Sequence, residues 1–252
     1  MGEKKLQVRE DVLSVTSDKK GAAGLIETFL RRFRTVSFAL MLMPLVMVCG
    51  LCVGLAASPS IFLLTTVSRA THSWPEVFHY MAMGCGLAFG FFIYGISLIF
   101  IVPAVNFLMP RVRPFRGPWY SLHTIPWYVH NGLTYMVRYT FLDFVTPTPL
   151  NILFYRMMGM KIGKGVVINS SNISDPCMIS LGDYVTVGGS AHILAHYGQK
   201  GYLVIAPVSI GKGSNIGLKA SIMGGVTLGQ FVTVRPHSAV LPRTEVKDGE
   251  TV

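Results

Sequence analysis

From Lys161 onward, aliphatic residues recur every six positions, and this period constrains the fold more than any other feature of the chain. They stand at Ile162 and Ile168, after one extra residue at Leu181, Val187 and Ile193, and after a longer insertion at Ile210, Ile216, Ile222, Leu228, Val234, Val240, Val246 and Val252. The next position is often glycine, as at Gly163, Gly182, Gly188, Gly211, Gly217 and Gly229. Four residues past the aliphatic comes a small or β-branched residue in most repeats, as at Val166, Ala191, Ser214 and Val232. A six-residue unit of this kind marks a parallel β-helix, each hexad forming one flat face of a triangular coil. The aliphatic residue points into the prism, and the glycine is expected to allow the tight path round the corner. About three hexads complete a turn, and successive turns stack at about 4.8 Å, the ordinary strand spacing. Ile210, Leu228 and Val246 are therefore predicted to lie one above another. The reading is an all-β prism of about five coils over 161–252, with an inserted loop at 197–207. No capping helix or polar stop follows the last hexads, so that end is expected to be covered by a partner or by further chain.

The chain ahead of the prism has a different character. Over all 252 residues, 51% are hydrophobic and 13% charged, and the mean hydropathy of +0.49 is too high for an ordinary soluble domain. Residues 36–57 and 77–109 carry no charge, and each meets the requirement of about 20 apolar residues for a membrane crossing. The second stretch is longer than one crossing needs and is expected to tilt, to bend near Pro103 or to end early. Its Gly84, Gly86, Gly90 and Gly95 are small residues that let two helices approach closely. Arg31, Arg32 and Arg34 precede the pair, and Arg111, Arg113 and Arg116 follow it, whereas the connector holds Arg69, His72 and Glu76. The positive-inside bias then predicts an integral membrane protein with the β-helix and both termini on the cytosolic side, and lipid as a partner. On that topology Trp74 marks the far interface, and Trp119 and Trp127 the near one. Residues 118–150 mix aromatic residues with prolines and suit helices lying in the headgroup layer. A third span over 117–137, which holds no charged residue, is the alternative, and it would move the prism to the opposite side.

The resulting organisation is a polar cytosolic tail over 1–34, a two-span hairpin over 35–110, interfacial amphipathic helices and a linker over 111–160, and the prism over 161–252. Gly2 is followed by Leu6 where a myristoylation signal needs Ser or Thr, so lipid anchoring there is not expected. The net charge of +10 fits the cytosolic flank of a membrane protein, and no nucleic-acid partner is expected. Cys49, Cys52 and Cys85 fall in apolar stretches and Cys177 stands alone, which shows no disulfide framework and fits a reducing compartment.

The hexad pattern, the lead-in Tyr155-Arg156-Met157-Met158-Gly159-Met160-Lys161-Ile162-Gly163 and the run Pro207-Val208-Ser209-Ile210-Gly211 after a His-bearing loop resemble the hexapeptide-repeat, left-handed β-helix acyltransferases. More narrowly, the two spans followed by Ser174-Asp175-Pro176, Leu181-Gly182-Asp183 and the loop from Leu194-Ala195-His196 to Pro207 resemble the carboxy-terminal membrane and β-helix region of poly-lysine synthetase-like peptide synthetases. The resemblance implies a homotrimer whose acyl thioester donor, acyl-CoA or a carrier-bound thioester, lies in a cleft between neighbouring prisms. It implies no tightly bound cofactor, and in the narrower form a carrier protein or a larger synthetase partner.

Among the candidate residues His196 comes first, because it stands where the regular repeat breaks and, by the resemblance, acts as general base on the acceptor. The chemistry is sound: an imidazole, with an unperturbed pKa of about 6.5, can take a proton from a hydroxyl or amine as it attacks a thioester. Asp183 is read either as the acid that orients the imidazole or as an ordinary turn residue. Lys212, Lys219 and Arg235, with Gly217, are candidates for the phosphates of coenzyme A, although exposed cations on prism corners are commonly just solvated. Leu218, after Ile216-Gly217, differs from many coenzyme A-dependent relatives. His192 and His237 raise a zinc site with His196, but the second pair of His ligands such a site needs is missing, and no metal is expected. Two other classes stay open: a trimerising scaffold without catalysis, and a condensing domain that joins an aminoacyl thioester to an amine.

Overall fold

A computed structural model describes residues 14–252. Gly2 and Leu6, and with them the myristoylation question, lie outside the described residues. Helix α1, Gly21–Arg32, turns Gly24, Glu27 and Leu30 inward. The buried Glu27 is held by Lys19 and Arg31, each at 2.7 Å. Helix α2, Arg34–Thr71, and helix α3, Glu76–Phe107, are both long and apolar enough to cross a membrane. At about 1.5 Å per residue α2 is nearly twice the length of a hydrocarbon core, because apolar residues such as Ile61, Phe62, Leu63 and Leu64 continue the helix well past the predicted stretch.

The small residues of α3 divide their work. Gly86 and Gly90 face Leu64, Val67 and Ser60 of α2, and Ser60 Oγ donates to the Gly90 carbonyl at 2.6 Å. Gly95 instead receives the ring of Phe141, and Gly84 faces open space. The segments that follow, helix α4, Ile125–Thr140, and helix α5, Pro149–Met157, pack between hairpin and prism. One continuous core runs from Cys52 and Val102 through Leu133, Phe141 and Phe154 to Ile193, Ile216 and Val234. Trp127, expected at the lipid interface, is only 7% exposed inside this layer.

The prism has three faces of parallel strands. The first stacks Lys161–Ile162, Ile179–Leu181, Val208–Ile210, Thr227–Leu228 and Glu245–Val246. The second stacks Val167–Ile168, Thr186–Val187, Asn215–Ile216 and Thr233–Val234, and the third Ile173–Ser174, His192–Leu194, Ser221–Ile222 and Ala239–Val240. Ile210, Leu228 and Val246 are aligned in register, as the six-residue period predicts.

The corners are made differently from expectation. In most hexads the left-handed residue is the third after the aliphatic, occupied by Gly165, Tyr184, Gly213 and Phe231 at one corner and by Ser190, Lys219 and His237 at the next. The glycine directly after the aliphatic serves a different need. A Cβ on Gly182 would stand 2.6 Å from the Lys212 nitrogen of the adjacent coil, so it is backbone proximity that excludes a side chain there.

The insertion forms an antiparallel hairpin, His196–Gln199 with Tyr202–Ile205, and the strand Phe115–Pro118, which follows α3, adds to its outer edge. Phe115, Ile205 and His196 are directly aligned across these three strands.

Candidate active site

Two departures from the hexad count fall at the same corner of the prism. The coil from Ile162 to Leu181 is one residue too long, and the extra length is taken up by the turn Pro176–Met178 between the third and first faces. The coil above carries the inserted hairpin at that corner. Because Ser174 pairs with Leu194, Asp175 lies beneath Ala195 and beside His196.

Asp175 is fully buried, with a left-handed backbone at φ 59°, a conformation that Asp tolerates better than most residues. Four donors converge on its carboxylate. Oδ1 accepts from Trp127 Nε1 at 2.7 Å and from Asn131 Nδ2 at 2.6 Å. Oδ2 accepts from the Ala195 nitrogen at 3.1 Å and meets His196 Nδ1 at 2.6 Å. Trp127 and Asn131 stand one turn apart on α4, so a single helix face delivers both. Tyr135, one turn further, meets Ser174 Oγ at 2.9 Å, and Arg138 donates to Asn172, which fixes the helix against the coil that carries Asp175.

With Nδ1 against a carboxylate, the imidazole carries its proton there and leaves the Nε2 lone pair available. Nε2 has no hydrogen-bond partner among the described residues, and the side chain keeps 19% of its surface exposed. The Trp127 ring meets the imidazole edge-on, with centroids 4.9 Å apart. Gly224 of the next coil lies so close that a Cβ would stand 3.1 Å from the His196 nitrogen. The site is thus a partly exposed imidazole, oriented by Asp175 through one ring nitrogen and flanked by the Trp127 ring and by Gly224 of the next coil. Burial pushes the nearby Cys177 thiol up to about 12, and it pushes His130, on the next α4 position to Asn131, down to about 4 against the opposing pull of Asp175.

The other sequence candidates lie elsewhere. Asp183 accepts from the Lys164 nitrogen at 2.7 Å, and Asp248 makes the same bond to Gln230, so this position braces one coil on the next. The carboxylate at His196 is Asp175. Lys212 sits exposed at the corner between first and second faces, whereas Lys219 and Arg235 are exposed along the corner between second and third. Gly217 packs against the Arg235–Pro236 backbone. None of these reaches the His196 corner of the same prism. His192 pairs with Ser221 on the third face and His237 lies on the Lys219 corner. Among the described residues no three potential ligands converge on a metal position. Asp175, Trp127 and Asn131 are the participants that sequence reading missed; the one-residue excess in the coil count was the available signal for Asp175.

No family model matches the chain. A curated relative, the delta-poly-L-ornithine synthetase of Acinetobacter baumannii, is 22% identical over 165 residues, covering 64% of this chain and 12% of that protein. The chain therefore spans only a small part of that relative's length. Similar solved structures include a hexapeptide-repeat acetyltransferase from Vibrio cholerae, 18% identical, covering 48% of this chain and 83% of that one, with a TM-score of 0.39. A maltose O-acetyltransferase from Clostridium difficile is 19% identical, with coverages of 54% and 89% and a TM-score of 0.36. The serine acetyltransferase of Neisseria gonorrhoeae is 15% identical, with coverages of 77% and 63% and a TM-score of 0.37.

Proposed function

We propose that this chain is a membrane-anchored acyltransferase in which His196, held by Asp175, is the general base. His196 Nε2 takes the proton of a hydroxyl or amine acceptor as its oxygen or nitrogen forms a bond to the thioester carbonyl. The C–S bond then breaks, and the leaving thiolate takes up the proton from the imidazolium. The observation that carries this reading is the fully buried Asp175 carboxylate with four donors, one of them His196 Nδ1. It supplies what a general base needs, a fixed tautomer with an accessible second nitrogen.

The prism is read as left-handed with about five coils. It assembles as a homotrimer, because Lys212, Lys219, Arg235 and Gly217 can serve the donor's phosphates at His196 only across a subunit boundary. The donor is acyl-CoA or a carrier-bound thioester that is not held tightly, and in the carrier case a carrier protein or larger synthetase is the partner. α2 and α3 cross the membrane, with the prism and both termini on the cytosolic side.

The test compares transfer from an acyl thioester by wild type and His196→Ala, both shown to be trimeric. General-base loss is expected to slow transfer by about 100-fold to 10,000-fold. Equal rates would put the scaffold reading first. Running free acetyl-CoA beside carrier-bound aminoacyl donors separates simple acyl transfer from condensation.

A further inference from the structure

Where α3 ends, a groove of about 580 Å³ opens between α1, the segment after α3 and the entry to α4, lined by Lys19, Arg111, Arg113, Phe115, His123 and Pro126 among others. Lys19 is already committed to Glu27 at 2.7 Å and to His123 at 3.1 Å. Arg111 and Arg113 are exposed and form no salt bridge among the described residues. They are the two cations that the groove offers to an incoming anion.

Two observations set the groove at the level of lipid headgroups. Phe107 and Leu108, just ahead of it, are 79% and 77% exposed at the end of a helix apolar enough to span a membrane. On the other side α1, which contributes Ala23 to the groove, turns Leu25, Ile26 and Phe29 outward, an apolar face that suits a helix lying in the bilayer surface.

Two residues that line the groove neighbour the candidate base through the sheet or along the chain. Phe115 and His196 are aligned through Ile205 on adjacent strands, so their side chains leave the same side of the sheet about 10 Å apart. The Phe115 ring stacks on His123 within the groove. Pro126 lines the groove, and the next residue, Trp127, touches the imidazole.

We propose that Arg111 and Arg113 bind the phosphate of an anionic membrane lipid and place its headgroup beside His196, as the acceptor. The lipid source follows from the exposed apolar residues of α3 and α1 that flank the groove. The proposal rests on the acyltransferase reading for the word acceptor, but the binding itself does not.

The probe is phosphatidylglycerol, titrated against the full chain in mild detergent and read by native mass spectrometry. Arg111→Gln/Arg113→Gln is expected to weaken binding by about 30-fold, on the scale of two surface cations near a lipid phosphate. The control Lys161→Gln/Lys164→Gln, with the same loss of charge on the prism, is expected to bind as wild type does. Equal weakening in both doubles would overturn the site. So would competition by free glycerol 3-phosphate at the concentrations at which the lipid itself binds, which would assign the groove to a soluble phosphate ester. A phosphatidylglycerol carrying a photoreactive group on its headgroup is expected to label the hairpin around 196–205; labelling confined to α2 and α3 would overturn the placement. His196→Ala should bind the lipid normally, so failure of the catalytic reading and failure of the lipid site give different results.

Discussion

His196 Nδ1 lies 2.6 Å from Asp175 Oδ2, although the two residues are 21 positions apart and belong to different coils. Stacking of the third face, Ser174 on Leu194, brings them together. The pair predicts opposite fates for two aspartates. In Asp175→Asn one side-chain oxygen becomes an amide that meets donors where it needs acceptors. Transfer should fall by about 100-fold to 10,000-fold, and the buried mismatch should cost about 1–3 kcal/mol of stability. Asp183→Asn keeps the oxygen that accepts from Lys164, and should cost under about 1 kcal/mol with transfer near the wild-type rate. Thioester assays and thermal melts on both variants decide this, and a slower Asp183→Asn would return that residue to the site.

Trp127 holds the carboxylate from the opposite side, donating Nε1–H to Oδ1 at 2.7 Å while buried at 7% exposure. Trp127→Phe keeps an aromatic ring against the imidazole and removes the donor. Hydrogen bonds to charged groups are worth about 1.5–3 kcal/mol, so the melt should drop measurably and transfer should slow. An unchanged melt would mean that Asn131 and Ala195 suffice to hold Asp175.

The prism was legible because burial of one aliphatic residue per face writes its period directly into the chain, from Ile162 to Val246. The helical hairpin was legible because each of its helices is built on a long uncharged apolar run, and its glycines pointed correctly to close helix packing at Gly86 and Gly90. His196 stood out at the break in the repeat. The acid partner did not, because Asp183 follows the local Leu-Gly-Asp pattern whereas Asp175 acquires its role only when two coils stack and α4 closes over them. Trp127 was read as an interface residue because composition alone does not distinguish an aromatic residue at a headgroup layer from one sealing a buried carboxylate.

Gly95 is where the apolar helical hairpin docks on the segment leading to the prism. The Phe141 ring occupies the place of a Cβ, and Phe91 and Phe92 of α3 pack edge-on against the same ring. Gly95→Leu must displace a ring that is 1% exposed, and overpacking of this kind costs about 1–3 kcal/mol. Gly84→Leu, facing open space, should cost little. Comparing the melting of the two variants in the same detergent checks the assignment.

The proposed topology makes a direct prediction about access. In sealed vesicles with the cytosolic side inward, added protease should leave the prism intact and cut it only after the membrane is opened. Cleavage at exposed prism corners such as Lys212 or Lys219 in sealed vesicles would place the prism outside and revive a third crossing.

His130 predicts how stability responds to acid. It is 4% exposed, its Nδ1 meets Asn106 Oδ1 at 3.0 Å, and its Nε2 has no partner, so burial disfavours the charged ring and brings its pKa down to about 4. The unfolded chain takes up this proton near the usual 6.5, so between those values the unfolded state binds more protons than the folded state. Stability is therefore fully present above about pH 6.5, declines as pH falls below it, and levels off once pH has passed through about 4. The full span corresponds to about 3 kcal/mol. Unfolding measured in mild detergent from pH 7 to pH 4 should show this decline in wild type and a flatter profile in His130→Gln, which can still donate to Asn106 but does not titrate. Parallel profiles for the two proteins would show that the acid sensitivity arises elsewhere and that the His130 ring is hydrated in the folded state.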